Sequence, residues 1–476
     1  MNQQLTYSSY DPVGDGISRR QLLKQSAVGF GSLALAGLLD QCQLEAQQPS
    51  IRQRQPQYAP KVKRIIFLFM HGGPSQVDTF DYKPQLEKDD NKPVPFAKPR
   101  VVSAATENLL KSPFRFAQHG ESGMHVSEIF PHIARHVDDL CFIKSVHGSN
   151  SRHGAALLEL HTGSDTFVRP SIGSWLSYGL GSENQNLPGF VTICPSLTHG
   201  GANNWGSAFL PAIYQGTPIG NAGTASENAK IPFIKGNTSG ELQKMELQLL
   251  KKIDQQRSLT AGSDSQLESR IESFELAFRL QTEAPEIQDL STESADTLSM
   301  YGVDKEPTKD FGFQCLMARR FAEKGVRFIQ LSHSYKWDQH SDLQNAHRRN
   351  AAEVDQPISA LLTDLKQRGL LEDTLVWWGG EFGRTPVSQS GRNGRDHNPH
   401  ACTMFFAGGG VKSGFQYGET DEYGYYAVKD KVHFHDLHAT MLHLMGMDHT
   451  KLTYKHAGRD FRLTDIYGEV IQDILA

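Results

Sequence analysis

The stretch Asn350 to Gly383, NAAEVDQPISALLTDLKQRGLLEDTLVWWGGEFG, holds a helix, a turn and a buried strand, and the strand ends on a carboxylate. Val354, Ile358, Leu361, Leu362 and Leu365 lie three and four residues apart, which makes one apolar stripe along a helix. Gly369 stops that helix, because glycine takes the left-handed conformation of a C-terminal cap without steric cost. After the polar turn Glu372-Asp373, the run Thr374 to Trp378 is β-branched, aromatic and almost unbroken. A strand of that kind is covered on both faces, as in a parallel sheet with helices above and below. Gly379, Gly380 and Glu381 then leave its carboxyl end, the edge at which open α/β sheets bind ligands.

Further out, the same rhythm repeats. Lys63 to Met70 reads as a buried strand that ends in His71-Gly-Gly-Pro-Ser-Gln-Val-Asp78. Leu140 to Val146 reads as a second strand, leading through a polar turn into a short helix over Arg152 to Gly163 that carries His153. Helix Phe313 to Lys324 and strand Val326 to Leu331 deliver Asp338 and His340. Thr403 to Ala407 adds one more strand before Gly408-Gly409-Gly410, which lacks the spacing of a dinucleotide or P-loop motif and reads as a turn. Strands alternating with helices in this way predict an α/β fold, a mainly parallel sheet flanked by helices on both faces. Between about Gly200 and Asp310 the chain turns polar and rich in Gly, Ser and Asn, then helical around Glu241 to Gln256 and Leu267 to Leu280; that segment reads as an insertion or cap.

The 476 residues suffice for a large core. A formal net charge of -5 and the lack of any lysine or arginine run argue against a nucleic-acid partner. Ser18-Arg19-Arg20-Gln21-Leu22-Leu23-Lys24, followed by the apolar, small-residue run Ser26 to Leu39, matches a twin-arginine export signal. That run is shorter than the roughly 20 residues a membrane span needs. Residues 1–60 are therefore expected to be a signal and a Gln/Pro-rich linker, and residues 61–476 the α/β domain, with its insertion at about 200–310. The twin-arginine machinery is the expected export partner, and the periplasm or cell surface the expected location. Cys141, Cys194, Cys315 and Cys402 are too few and scattered for a disulfide scaffold or a cysteine zinc site, and read as small buried residues.

The residues that carry chemistry sit at successive strand ends: His71 or Asp78, His153, Asp338 and His340, Glu381, and Asp396 with His397. Imidazoles and carboxylates from separate loops are the donors a hard-to-borderline divalent ion requires. His435, His438 and His443 lie along one expected helix and read as packing or surface residues.

The segment 353–376 resembles the helix and strand preceding the Asp-His-Gly of sulfatases and cofactor-independent phosphoglycerate mutases, members of the alkaline phosphatase superfamily. Arg152 to Gly163 resembles the sulfatase segment that bears the nucleophile, His397 precedes its strand as the last metal histidine of alkaline phosphatases does, and Asp436 to Gly446 resembles a helix near the end of sulfatases. In combination, Gly72 to Asp81, Trp337-Asp-Gln-His340, Gly380 to Pro386 and Gly394-Arg-Asp-His397 are similar to the motifs of the domain-of-unknown-function 1501 family of exported bacterial proteins, from about Lys61 to the carboxyl terminus.

That resemblance implies a sulfatase-like or phosphatase-like hydrolase of phosphate or sulfate esters, with a small-molecule or polysaccharide substrate. It implies a divalent metal (zinc, manganese or calcium) with His340 and His397 where two histidines of one metal site belong and Asp338 as the carboxylate; Glu381 and Asp78, from their strand-end positions, are further candidate ligands. His153 would be general base, acid or direct nucleophile, and Arg384 would neutralise a tetrahedral anion. Three positions depart from the catalytic relatives: Glu381-Phe382 stands in place of Asp-His, His71 replaces the aspartate ending the first strand, and His153 stands at the sulfatase cysteine. The alternative is a non-catalytic relative that uses the pocket to bind a polysaccharide, a sulfated ligand or a cell-surface partner.

Overall fold

The structure, a computed structural model, describes residues 53–97, 106–231, 239–261, 265–389 and 393–476. The twin-arginine segment, its apolar run and most of the linker lie outside those residues. No helix among the described residues is long and apolar enough to cross a membrane.

A nine-stranded sheet forms the centre. Its strands, in chain order, are β1 (Arg64–Met70), β2 (Leu140–His147), β3 (Phe190–Ile193), β4 (Thr217–Ile219), β5 (Phe328–His333) and β6 (Thr374–Gly379). A separate hairpin of β7 (Gly383–Gln389) and β8 (Arg395–Asn398) interrupts it before β9 (Cys402–Gly408), β10 (Phe415–Tyr417) and β11 (Val432–His433) complete it. The order across the sheet is β10-β2-β9-β6-β1-β5-β3-β4, with β11 also on β2.

The five expected strands are present with ends shifted by no more than two residues, the short strands β3, β4, β10 and β11 are additional to them, and the sheet is mainly parallel. β1 pairs in parallel with β5 and β6, and β3 with β4 and β5. Among the described strands of this sheet β9 alone is reversed, antiparallel to both β6 and β2. A fully buried strand carries no alternation that would reveal its direction, so the reversal was not readable from Thr403 to Ala407.

The alternation inside β1 shows why its apolar run is unbroken. Ile66, Leu68 and Met70 belong to one core cluster, while Ile65, Phe67 and Phe69 belong to the cluster on the opposite face. Helices α3 (Lys309–Glu323) and α4 (Leu343–Gln367) cover the first face through Leu316, Phe321, Ile358 and Leu361. Helices α1 (His153–Thr162), α2 (Ile172–Leu180) and α5 (Phe434–Leu444) cover the second through Leu157, Trp175 and Leu437. Phe67 stacks on Trp377 with ring centroids 3.6 Å apart; each fully buried side chain of this kind contributes about 1.5–3 kcal/mol. Gly369, just past the end of α4, has φ +67°, the cap conformation the sequence called for. The segment 200–310 contains the helices Gly240–Ala261 and Ser265–Gln288.

This topology sends several chain segments to one edge. The adjacent parallel strands β5, β1 and β6 end beside one another, at His333, Met70 and Gly379. β2 leads from that edge to the start of α1, and the reversal of β9 brings β8, just before it, to the same edge.

Candidate metal-binding and active site

Past β1 the chain turns tightly at Gly72 and Gly73, with φ of +117° and +82°. A Cβ on Gly72 would stand 2.7 Å from the backbone nitrogen of Asp338, so only glycine lets the β1 turn pass under the β5 turn. The Gly72 amide donates to both carboxylate oxygens of Glu381, at 3.0 and 3.1 Å. Glu381 Oε1 also lies 2.7 Å from His153 Nδ1 at the first turn of α1. Glu381, expected as a metal ligand, thus has both oxygens engaged by the Gly72 amide and orients His153.

Asp338, His340 and His397 do come together. Asp338 Oδ1 lies 2.9 Å from His340 Nε2 and 3.0 Å from His397 Nε2, and the two imidazole nitrogens are 3.0 Å apart. His397 Nδ1 donates to the Ser151 carbonyl at 2.7 Å, which leaves Nε2 as a free-electron-pair donor toward the cluster. The Asp396 carboxylate accepts from the His397 amide at 2.8 Å. Gly394 lets the hairpin close on this group, since a Cβ there would fall 2.1 Å from the His340 carbonyl carbon.

His153 packs against this face. Its ring centroid is 4.4 Å from that of His397, and its Nε2 stands 3.3 Å from Asp338 Oδ2, a charge contact outside hydrogen-bond geometry. Burial opposes its charge, yet Asp338 and Glu381 outweigh that and lift the imidazole to about 9. Glu381 is correspondingly held down to about 2, against its own burial, chiefly by His153. Asp338 is held far below the usual carboxylate range, against burial, by His153, His340, His397 and Arg384. His397, by contrast, is pushed down to about 4, first by burial.

Two expected site residues belong elsewhere. Asp78 is fully buried and its carboxylate is gripped by Arg395 at 2.7 and 3.1 Å and by the Ser75 hydroxyl at 2.5 Å, so it serves an internal ion pair and not the metal face. Arg384 is also fully buried. Its guanidinium donates to the carbonyls of Gly73, Gly72, Trp337 and Arg395 and to Asp338 Oδ1, the last at 2.6 Å. Every arm of Arg384, expected to meet a substrate anion, is engaged inside the protein, and one of them fixes Asp338.

The histidines of α5 are structural, as expected: His435 Nε2 and His438 Nε2 lie 2.9 and 2.8 Å from the carbonyls of Gly163 and Leu160. Cys141, Cys194, Cys315 and Cys402, the cysteines among the described residues, are buried and form no disulfide. His199 and Tyr335 were not anticipated. The His199 ring stacks on His153 at 4.8 Å, and Tyr335 donates to Asp338 Oδ2 at 3.1 Å. Both have positive φ, 52° in each case, a conformation that is strained for non-glycine residues. No local pattern around either would have marked it.

The donor set suits a divalent ion: His153 with Asp338 and His397, and His340 with Asp396 and His397, each bring ligand atoms within 4.8 Å of one another. Around it, Arg384, Ser151 and Glu381 supply the outer hydrogen bonds that metal ligands need to keep their orientation.

A protein-family model described as a protein of unknown function, DUF1501, matches residues 62–475. Among curated proteins none matches. Solved structures similar in part include the lipoteichoic acid synthase LtaP from Listeria monocytogenes, 10% identical, covering 87% of this chain and 78% of that one at a TM-score of 0.35. The PsFucS1 sulfatase from Pseudoalteromonas sp. is 13% identical over 83% of this chain and 68% of its own, with a TM-score of 0.35. An alkaline phosphatase from the Antarctic bacterium TAB5 is 13% identical over 81% of this chain and 98% of its own, with a TM-score of 0.33.

Proposed function

The chain belongs to the DUF1501 family, and from that premise we propose that it is an exported, metal-dependent hydrolase of phosphate or sulfate esters, taking a small-molecule or polysaccharide ester. The observation that carries this reading is the mutual spacing of Asp338 Oδ1, His340 Nε2 and His397 Nε2, 2.9 to 3.0 Å, with His153 beside them. A divalent ion on these donors supplies Lewis acidity toward an ester oxygen and lowers the pKa of a water. The chain's own residues do the rest. Asp338 is aimed by Arg384, and His397 by the Ser151 carbonyl. His153, oriented by Glu381, supplies positive charge toward a phosphate or sulfate oxygen and a proton for the departing alkoxide, the part Arg384 is too enclosed to play. The attacking group in this reading is water, since no serine, threonine or cysteine stands at the His153 position. The twin-arginine segment fits such a protein, because that route carries chains folded around a bound metal.

A screen of aryl phosphates, phosphodiesters and aryl sulfates with metal-loaded protein tests the proposal. The expected result is turnover of at least one class, abolished in the His340→Ala, His397→Ala double variant; turnover unchanged in that variant would sink it. Phe382 favours a second reading, a non-catalytic relative that binds a polysaccharide, a sulfated ligand or a cell-surface partner. Its ring packs 4.4 Å from His397 and 4.9 Å from His153, covering part of the face with carbon. Saturable binding of a sulfated oligosaccharide with no turnover of any ester would select that reading.

A further inference from the structure

We infer that the face formed by Asp338, His340 and His397 selects a six-coordinate ion of the manganese–iron class over tetrahedral zinc. This rests on the metal reading proposed above and narrows it. Because the three donor atoms are 2.9, 3.0 and 3.0 Å apart, right angles at a common centre place that centre about 2.1 Å away, the separation divided by the square root of two, an ordinary bond length for a six-coordinate ion. Tetrahedral angles with the same spacing demand about 1.8 Å, shorter than the zinc–imidazole bond of about 2.0 Å. Two imidazoles with one carboxylate on a single face are also the donors of a facial triad, and two nitrogens disfavour calcium, which takes oxygen.

The surroundings resist widening to a tetrahedral spread. Asp338 Oδ1 is pinned by the fully buried Arg384 at 2.6 Å. His397 is pinned through Nδ1 by Ser151 at 2.7 Å, and the His340 backbone lies hard against Gly394, where a Cβ would come within 2.1 Å. The tetrahedral rival would recruit His153 as a fourth ligand, since it groups with Asp338 and His397. Its Nδ1, however, is tied to Glu381 at 2.7 Å, and its Nε2 faces Asp338 Oδ2, the oxygen outside the triad.

Cobalt(II) loaded into the chelator-treated full chain reports coordination number directly, without reference to activity. The expected visible spectrum has weak bands only, unchanged in His153→Gln and lost in His340→Gln together with at least about tenfold in manganese affinity. An intense tetrahedral band, or a spectrum that shifts in His153→Gln, would overturn the inference while leaving the hydrolase reading intact. Failure to bind cobalt, manganese or zinc at all would overturn the metal reading and this inference together. Should His340→Gln fail to fold, the spectrum of the unaltered chain decides by itself.

Discussion

Asp78 and Asp338 are both carboxylates held by an arginine of the β7–β8 hairpin, and only Asp338 has room for another partner. Asp78 is fully enclosed, and Arg395 and Ser75 take its oxygens. Asp338 is 15% exposed, shares one oxygen among Arg384, His340 and His397, and meets His340, which is 24% exposed. A saturated cluster stabilises one conformation and has nothing left to offer a ligand. A cluster in which the unprotonated Nε2 of His397 faces the Asp338 carboxylate oxygen at 3.0 Å sets two lone pairs against each other, and a cation relieves it.

The comparison can be broken most forcefully at Asp78. Asp78→Ala strands a buried guanidinium, and chemical denaturation should show a loss of about 3–5 kcal/mol in the metal-free protein. Unaltered stability with lost metal binding would instead make Asp78 a ligand. At the open cluster the pattern should invert: His340→Gln weakens metal affinity by about 10–100-fold, while its metal-free stability stays within about 0.5 kcal/mol of the parent. Equal losses of stability at Asp78 and His340 would erase the distinction.

A third effect separates the clusters by pH. His153 in the folded chain is raised from 6.5 to about 9, so its contribution to stability is complete below pH 6.5 and is lost as pH rises through about 9. The loss is on the order of 3 kcal/mol in metal-free protein. Denaturation midpoints between pH 6 and 10 should show this alkaline limb in the parent and a flatter one in His153→Gln. A limb of equal size in both would remove His153 as its source. The smallest effect belongs to the exposed pair Lys429 and Glu419, 2.7 Å apart: Lys429→Ala should leave the melting midpoint unmoved, because solvent and salt screen such pairs.

Most of the sheet was legible because its signals are local. The unbroken apolar runs of β1 and β6 and the stripe of α4 each report burial through a handful of consecutive residues. Three features were not. The direction of β9 depends on its partners and leaves no mark in a doubly buried strand. The β7–β8 hairpin leaves no strand signal, since Pro386 and the polar Gly383 to Asn398 sequence hide strands whose role is to set Arg384 opposite His397. The division between ligand and scaffold was hidden for the same reason: Asp78, Glu381 and Arg384 have the right chemistry, and tertiary contacts, such as Asp78 with Arg395 and Glu381 with His153, show how they are engaged. Asp338, His340 and His397 were legible because two donor-bearing motifs, Trp337 to His340 and Gly394 to His397, reach one edge of the sheet, while His199 and Tyr335 reach it through isolated loop conformations.

The central claim is that Asp338, His340 and His397 form one metal site. Metal analysis of the chain, stripped with chelator, reloaded with manganese and desalted, tests it most directly. The account predicts a single tightly held ion per chain, absent from the His340→Ala, His397→Ala variant whose circular dichroism matches the parent. A parent without stoichiometric metal, or a folded double variant that keeps it, would contradict the account.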